Sequence, residues 1–492
     1  YILAIDQGTT GSRVIVYDKN GSHVASAYEE FPQYFPQPGW VEHDPKEIWQ
    51  SVAVCLQAVL RQIGPNSIAA IGITNQRETT VVWDRETGQP IYNAIVWQCR
   101  RTAERCDGLK QGSLDISAKT GLPIDAYFSA TKLEWILRNV PGAMDEARAG
   151  KLLFGTTDSW VLWNLTGGKT HATDFTNASR TMLFNIDCLA WDRDILDHLQ
   201  IPQSVLPEVK QSSGLFGRTA AIGDLPAGIP IAGIAGDQQA ALFGQACFAP
   251  GSIKNTYGTG SFILMNAGSK RPISKNGLIV TLACGERGEP VYALEGAIFI
   301  AGAAIQWLRD GLCIIASASD SERMARAVPD NGGVYFVPAL AGLGAPYWDQ
   351  NARGSIYGIT RGTTGNHLVR AALEAMCYQT KDVLDAMRED SRLTIDSLKV
   401  DGGAVANNFM CQFQADVLRI DVVRPKVIET TSLGAAYLAG LAVGYWADAA
   451  DIARCWQTGR IFSPAIAPEQ SEVLYEGWRE AIMRTLTSHN TQ

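Results

Sequence analysis

Within one short stretch, Ala4-Ile5-Asp6-Gln7-Gly8-Thr9-Thr10-Gly11-Ser12-Arg13 gathers a carboxylate, glycines, hydroxyls and an arginine. Small residues let backbone N–H groups close on an anion, hydroxyls donate to it, Arg13 neutralises charge, and Asp6 can hold a hydrated cation. Ile2 to Ile5 reads as a short buried strand and Val14 to Tyr17 as another, with a tight turn at Asn20-Gly21. A Walker-type loop or a dinucleotide fingerprint needs a helix straight after its glycines, and here a strand follows. What remains is a hairpin loop for phosphate and magnesium, with a plain capped hairpin as the alternative on these residues alone. A second, degenerate copy stands at Asn255-Thr256-Tyr257-Gly258-Thr259-Gly260-Ser261, ahead of the apolar run Phe262 to Met265, without the carboxylate. Two such loops half a chain apart predict two similar lobes, each gripping part of a polyphosphate.

Other candidate groups fall where strands should end. Ile68 to Thr74 reads as a strand and leads into Asn75-Gln76-Arg77-Glu78-Thr79; taken alone, Arg77-Glu78 reads as an exposed ion pair of little worth. Ile231 to Ala235 ends at Gly236-Asp237-Gln238-Gln239, before a small-residue helix from Ala240 to Ala246. Asp237 is then either a helix cap or a carboxylate at the C-terminal end of an α/β strand, where open sheets bind ligands. Val400-Asp401-Gly402-Gly403-Ala404-Val405-Ala406-Asn407 reads as strand, glycine turn and helix start, either a nucleotide contact or a simple turn. Gly302 and Gln306 lie four apart on a helix around Phe299 to Arg309, hence on one face. Trp97 lies in the cluster Tyr92 to Arg101, and Tyr127 with Lys132 in the segment Gly121 to Trp135.

The elements that must position these groups alternate strand and helix, as at Phe154-Gly155-Thr156-Thr157-Asp158 and Thr173 to Arg180. A helix begins after Asp44, with Pro45 in its first turn, Glu47 completing a capping box, and Ile48, Val52, Leu56 and Val59 on its inner face. His43 reads as a hydrogen-bonded surface residue, and the tail beyond Ser463 as polar and partly mobile. The apolar run Leu433 to Trp446 is too short to span a bilayer, and its Gly434, Gly440 and Gly444 suit a closely packed core helix. The chain of 492 residues has room for two or three domains, and we place the boundary between lobes 1–247 and 248–492. A net charge of −8 with no Lys/Arg-rich run argues against a nucleic-acid partner. Ten cysteines without metal or redox spacing, and no signal-peptide pattern, lead us to expect a reducing cytoplasmic compartment.

Together these pieces closely resemble the FGGY carbohydrate kinase family of the actin-like ATPase superfamily, along nearly the whole chain. The resemblance is carried by Tyr127-Phe128-Ser129-Ala130-Thr131-Lys132-Leu133-Glu134-Trp135 and by Gly354-Ser355-Ile356-Tyr357-Gly358-Ile359 leading to Ala371-Ala372-Leu373-Glu374. Asn75 to Thr80 and Ala235 to Gln239 are similar to its glycerol-specific branch. The resemblance implies an α/β fold of two actin-like (ribonuclease H-like) lobes around a central ATP/substrate cleft. It implies ATP- and Mg²⁺-dependent phosphorylation of glycerol, with Asp237 as general base and Asp6, with Asp237, facing the metal. Thr9, Thr10, Gly11 and Arg13 would hold the phosphates from one lobe and Thr259 from the other, while Gly302, Gln306, Gly403 and Asn407 line the nucleotide. Arg77, Glu78, Tyr127, Asp237 and Gln238 would form the polar edge of a glycerol pocket, and Trp97 and Phe262 its apolar walls. Relatives form homodimers or homotetramers. Two alternatives stay open, a kinase for another polyol or small ketose, and an actin-like nucleotide switch with no small substrate.

Overall fold

In this computed structural model, which describes residues 1–487, two sheets repeat one topology. The first contains β1 (Ile2–Gln7), β2 (Gly11–Tyr17), β3 (His23–Glu30), β4 (Ala70–Asn75), β5 (Ser213–Arg218) and β6 (Pro230–Gly236), in the order β5-β6-β4-β1-β2-β3. The second contains β7 (Ile253–Tyr257), β8 (Ser261–Gly268), β9 (Ile279–Cys284), β10 (Pro290–Ile298), β11 (Ser397–Asp401), β12 (Asp421–Pro425) and β13 (Thr458–Phe462), in the order β9-β10-β8-β7-β11-β12-β13. In each sheet the opening strand pairs antiparallel with the next and parallel with a later one: β1 with β2 and β4, β7 with β8 and β11. The cause is legible in composition. The parallel strand β4 is buried at every residue, as a strand covered on both faces must be, whereas the edge strand β3 is largely exposed.

Register brings the strand ends together. Gln7 and Gly236 both stand opposite Asn75, so the segments leaving β1, β4 and β6 open side by side; Thr256 stands opposite Asp401 in the second sheet. These C-terminal ends are where an α/β sheet offers ligands a crevice.

Helices join the two halves. α1 (Pro45–Ile63) packs on the first sheet with Ile48, Val52, Leu56 and Val59 buried. α2 (Asp237–Gly244) springs straight from β6, α3 (Gly302–Asp310) follows β10, α4 (Gly365–Ser391) backs the second sheet, and α5 (Asn408–Leu418) lies between β11 and β12. α6 (Thr430–Ala442) follows the second-sheet strand β12 yet packs on the first sheet and crosses α2. That crossing requires residues without side chains. A Cβ on Gly434 would come 1.8 Å from the Ala240 carbonyl oxygen, and one on Gly244 2.0 Å from that of Thr430.

Three local expectations are corrected. Asp44 caps α1 by accepting from Lys46 N at 2.8 Å, but Glu47 completes no capping box; its carboxylate accepts from the Tyr34 hydroxyl at 2.9 Å instead. His43 is wholly buried, with one ring nitrogen 2.6 Å from Gln33 Oε1, because the short strand Glu42–His43 pairs with Ala94–Ile95. Within the tail, of which residues 488–492 lie outside the described residues, Pro468–Thr485 forms α7, anchored by the fully buried Trp478, whose indole donates to Asp382 Oδ2 at 2.9 Å. Its polar residues are the outer face of an amphipathic helix.

Candidate active site

The first loop is a tight link from β1 to β2, closed by Gly8 N donating to the Gly11 carbonyl at 2.9 Å. Asp6 lies at the end of β1 opposite Arg13 on β2. Arg13 does not pair with it; its guanidinium meets Glu429 at 2.8 Å, just ahead of α6, and lies over the Tyr28 ring. Burial, then the carboxylates of Asp237 and Glu429, push Asp6 up to about 7. Gly11 leaves no room for a side chain, since a Cβ there would come 2.6 Å from the Glu29 carbonyl oxygen on β3. Thr9 accepts from the Trp97 indole at 3.0 Å, which ties the loop to an aromatic wall, and Thr10 is exposed.

Behind this loop, Gln76 links two neighbouring segments by donating to Gln7 Oε1 and to the Gly8 carbonyl, both at 3.2 Å. Arg77 and Glu78 follow, and both are buried rather than a surface pair. Glu78 adopts a left-handed backbone with φ of 63°, a strained geometry for a side chain of its size. Arg77 Nε sits 3.2 Å from Asp237 Oδ1 and 3.6 Å from Glu78 Oε1. Its two terminal nitrogens are held by Glu295 of β10, at 2.7 and 3.0 Å, and one of them also donates to Gln239 Oε1. Arg180 completes the cluster by donating to Glu78 Oε1 at 2.7 Å and to Glu295 Oε1 at 3.1 Å. The two guanidinium groups outweigh burial and hold the Glu295 carboxyl down at about 2, while burial raises Glu78.

Asp237 is the first residue of α2, and its Oδ1 accepts from Gln238 N at 2.7 Å. It is a third exposed, so its carboxylate can be reached from solvent. Gln238 is fixed by the buried Lys254, whose ammonium also donates to Thr256 Oγ1 at 2.8 Å and to the Phe262 carbonyl at 3.3 Å. Burial lowers Lys254 to about 8. On the opposite flank Trp97 meets Tyr127 edge to face at 5.6 Å, and the buried Lys132 holds the Tyr127-Phe128 turn by donating to both carbonyls. Arg77, Glu78, Trp97, Tyr127, Asp237, Gln238 and Phe262 are thus joined by direct contacts or single intermediaries.

The second loop joins β7 to β8. Its Gly258 and Thr259 carbonyls accept from Gly302 N and Ala303 N at 3.1 and 3.0 Å, so the start of α3 is seated on the loop. Thr259 and Gln306 are exposed. Gly402 abuts the same loop with φ of 89°, and a Cβ on it would come 2.3 Å from the Tyr257 carbonyl oxygen. The next residue, Gly403, faces open space. Asn407 caps α5 by accepting from Met410 N at 3.0 Å and donates to Ser321 Oγ at 3.2 Å. Sequence reasoning missed Glu295, Arg180, Gln239, Lys254 and Glu429. Lys254, immediately before the Asn255–Ser261 motif, and Glu295 are each the one charged residue of their strand, a weak signal.

Among the described residues no group of three or more His, Cys, Asp or Glu side chains forms a metal cluster. The carboxylates of Asp6 and Asp237, close enough for Asp237 to raise Asp6, offer the all-oxygen donors that suit a hard divalent cation. No helix among the described residues is long and apolar enough to cross a membrane.

The chain matches the model of the FGGY family of carbohydrate kinases, N-terminal domain, over residues 1–244, and that of the C-terminal domain over residues 253–443. It is 59% identical over 491 residues to glycerol kinase 2 of Thermotoga maritima, covering 99% of both chains. It is 60% identical to glycerol kinase of Carboxydothermus hydrogenoformans, covering 98% of both. Among solved structures it superposes on Plasmodium falciparum glycerol kinase with ADP at a TM-score of 0.93 and 37% identity, covering 99% of this chain and 98% of that one.

Proposed function

The chain belongs to the FGGY family of carbohydrate kinases, and from that premise we infer that its cleft transfers the γ-phosphoryl group of ATP to a terminal hydroxyl of glycerol, giving sn-glycerol 3-phosphate. The observation that carries the reading is the buried Arg77–Glu78–Asp237 cluster beside a phosphate loop, in a chain about 60% identical to glycerol kinases over its whole length.

In this reading Asp237 takes the proton of the attacking hydroxyl, and its position at a strand end lets the substrate reach it. Arg77, Glu78, Tyr127 and Gln238 fix the hydroxyls of a slim triol, while Trp97 and Phe262 flank its carbon frame. Thr9, Thr10, Gly11 and Arg13 hold the β- and γ-phosphates from the first loop and Thr259 holds them from the second. Gly302, Gln306, Gly403 and Asn407 line the nucleoside. Asp6, with Asp237, holds a hydrated Mg²⁺, which when bound neutralises charge on the phosphate oxygens. Phosphoryl transfer is mostly alignment and charge neutralisation, so closing two lobes, taken as 1–247 and 248–492, excludes water and brings the reactants into line. Ten unpaired cysteines support a reducing, cytoplasmic setting. A homodimer or homotetramer is part of the same reading.

A nucleotide switch is not favoured, since it has no use for a buried Arg77–Glu78 pair facing Asp237. The test is ATP-dependent phosphorylation of glycerol against a panel of polyols and ketoses. Glycerol should lead in kcat/KM by about 100-fold or more over substrates that leave the polar edge unpaired; a larger polyol or ketose as the better substrate would overturn the reading.

A further inference from the structure

A guanidinium read by a small substrate has to point one way, yet Arg77 is a long side chain with several rotatable bonds and five N–H donors. In the structure its direction comes from the second sheet. Glu295 on β10 grips both terminal nitrogens of Arg77 in a two-bond fork and shares one oxygen with Arg180. Arg180 in turn holds Glu78, and its guanidinium lies over the Tyr127 and Phe128 rings at 5.5 and 5.2 Å. All four charged side chains are at most 2% exposed. Glu295 takes one N–H from each of Nη1 and Nη2 and Gln239 takes the other from Nη1, so one Nη2 N–H and the Nε edge beside Asp237 and Glu78 remain for a substrate.

A buried ion cluster is a poor way merely to hold two lobes together. Well-packed apolar residues of the same volume often stabilise as much or more, and what charges add is a fixed geometry. Arg180 even keeps one terminal nitrogen, Nη1, buried without a partner among the described residues, which costs stability and brings none. We propose that Glu295 and Arg180 are positioning residues of the substrate pocket: Glu295 aims Arg77, and Arg180 aims Glu78 and Tyr127, so that the polar edge is built by both lobes. The proposal rests on the reading that this pocket takes glycerol.

Steady-state kinetics with glycerol and ATP varied separately test it, together with thermal melting of each variant. Glu295→Gln keeps the volume but replaces a two-oxygen acceptor with one oxygen and an N–H that opposes a guanidinium. The KM for glycerol should rise about tenfold or more while the KM for ATP stays within about twofold. Glu295→Asp, which keeps two oxygens, should recover part of the loss. If Glu295→Gln does not fold, Glu295→Asp and Arg180→Lys carry the test. The lysine keeps the charge but cannot bond Glu78 and Glu295 together in the same plane, and the same split between the two KM values is expected. An unchanged glycerol KM in a folded variant overturns the proposal. So does an equal rise in both KM values with lowered melting, or failure of all three variants to fold, each of which marks a purely structural role. Wild-type protein that forms no ADP in response to glycerol would instead overturn the glycerol reading itself, and that control is read first.

Discussion

Replacing Asp237 with asparagine removes a proton acceptor and one of the two carboxylates that would hold Mg²⁺, while keeping the local hydrogen bonds. Oδ1 accepts from Gln238 N at 2.7 Å and lies 3.2 Å from Arg77 Nε, and an amide oxygen serves both donors. The junction of β6 and α2 therefore keeps its local bonds. Arg77 remains paired with Glu295 and Glu78, so the lost charge leaves no bare buried cation. Because Asp237 is a third exposed, its contribution to stability is solvent-screened, and the cost should be about 1 kcal/mol or less. Catalysis should suffer far more. A positioned base contributes about 10²- to 10⁴-fold, or about 3–5 kcal/mol at about 1.4 kcal/mol per decade of rate. A coupled assay of ADP release should show kcat lowered in that range, with the KM for glycerol altered by less than about fivefold because the Arg77 and Glu78 contacts persist. ADP binding by calorimetry in the absence of Mg²⁺ should be close to wild type. The Asp237 charge also helps to raise Asp6, so the Asp6 carboxyl should titrate lower in the variant. A folded Asp237→Asn enzyme with kcat within about threefold of wild type would remove Asp237 from the role of base.

Asp6, raised to about 7, is largely protonated in the free protein below that pH and must lose the proton to meet a cation. Mg²⁺-dependent ADP affinity should therefore fall about tenfold per unit below pH 7, with proton release detectable by calorimetry in buffers of different ionisation heat; a pH-independent affinity would refute this. Gly244→Ala should drive α2 and α6 apart, because its Cβ would meet the Thr430 carbonyl oxygen at 2.0 Å, and should cost about 1–3 kcal/mol by urea denaturation, whereas an unchanged midpoint would mean the crossing relaxes freely. Burial lowers His43 and His171 to about 4, below the unfolded value near 6.5, so the folded state resists their protonation. Their share of stability is complete above pH 6.5 and is lost as pH falls towards 4, about 3 kcal/mol each at most; equal urea midpoints at pH 7 and 4.5 would count against it.

What could be read from the sequence was whatever the chain does locally. Both loops were legible because a hairpin is made by neighbours, and glycines, threonines and flanking β-branched runs state it directly. Asp237 stood out because a strand and a helix meet at it, and α6 was read as a closely packed core helix from its glycines, of which Gly434 meets α2, Gly440 faces Trp446 and Gly444 lies beyond the helix end. Misreadings came where burial is decided from elsewhere. His43 sits among polar neighbours in sequence and is buried by pairing with Ala94–Ile95; the polar tail becomes a docked helix because Trp478 finds Asp382 across 96 positions. Arg77-Glu78 looked like a surface pair for the same reason, since the groups that desolvate and neutralise it lie 102 and 218 residues away. Such partners have no local pattern, because a single charged residue within a strand is as often solvent-facing as buried. Glu295 lies on β10, whose sequence shows only an apolar run with one acid, and only the pairing of β10 with β8 and β9 turns that acid inward to the cleft. On the proposal that Glu295 and Arg180 orient Arg77 and Glu78, the partners that sequence reading cannot see are the ones that would aim the residues it can.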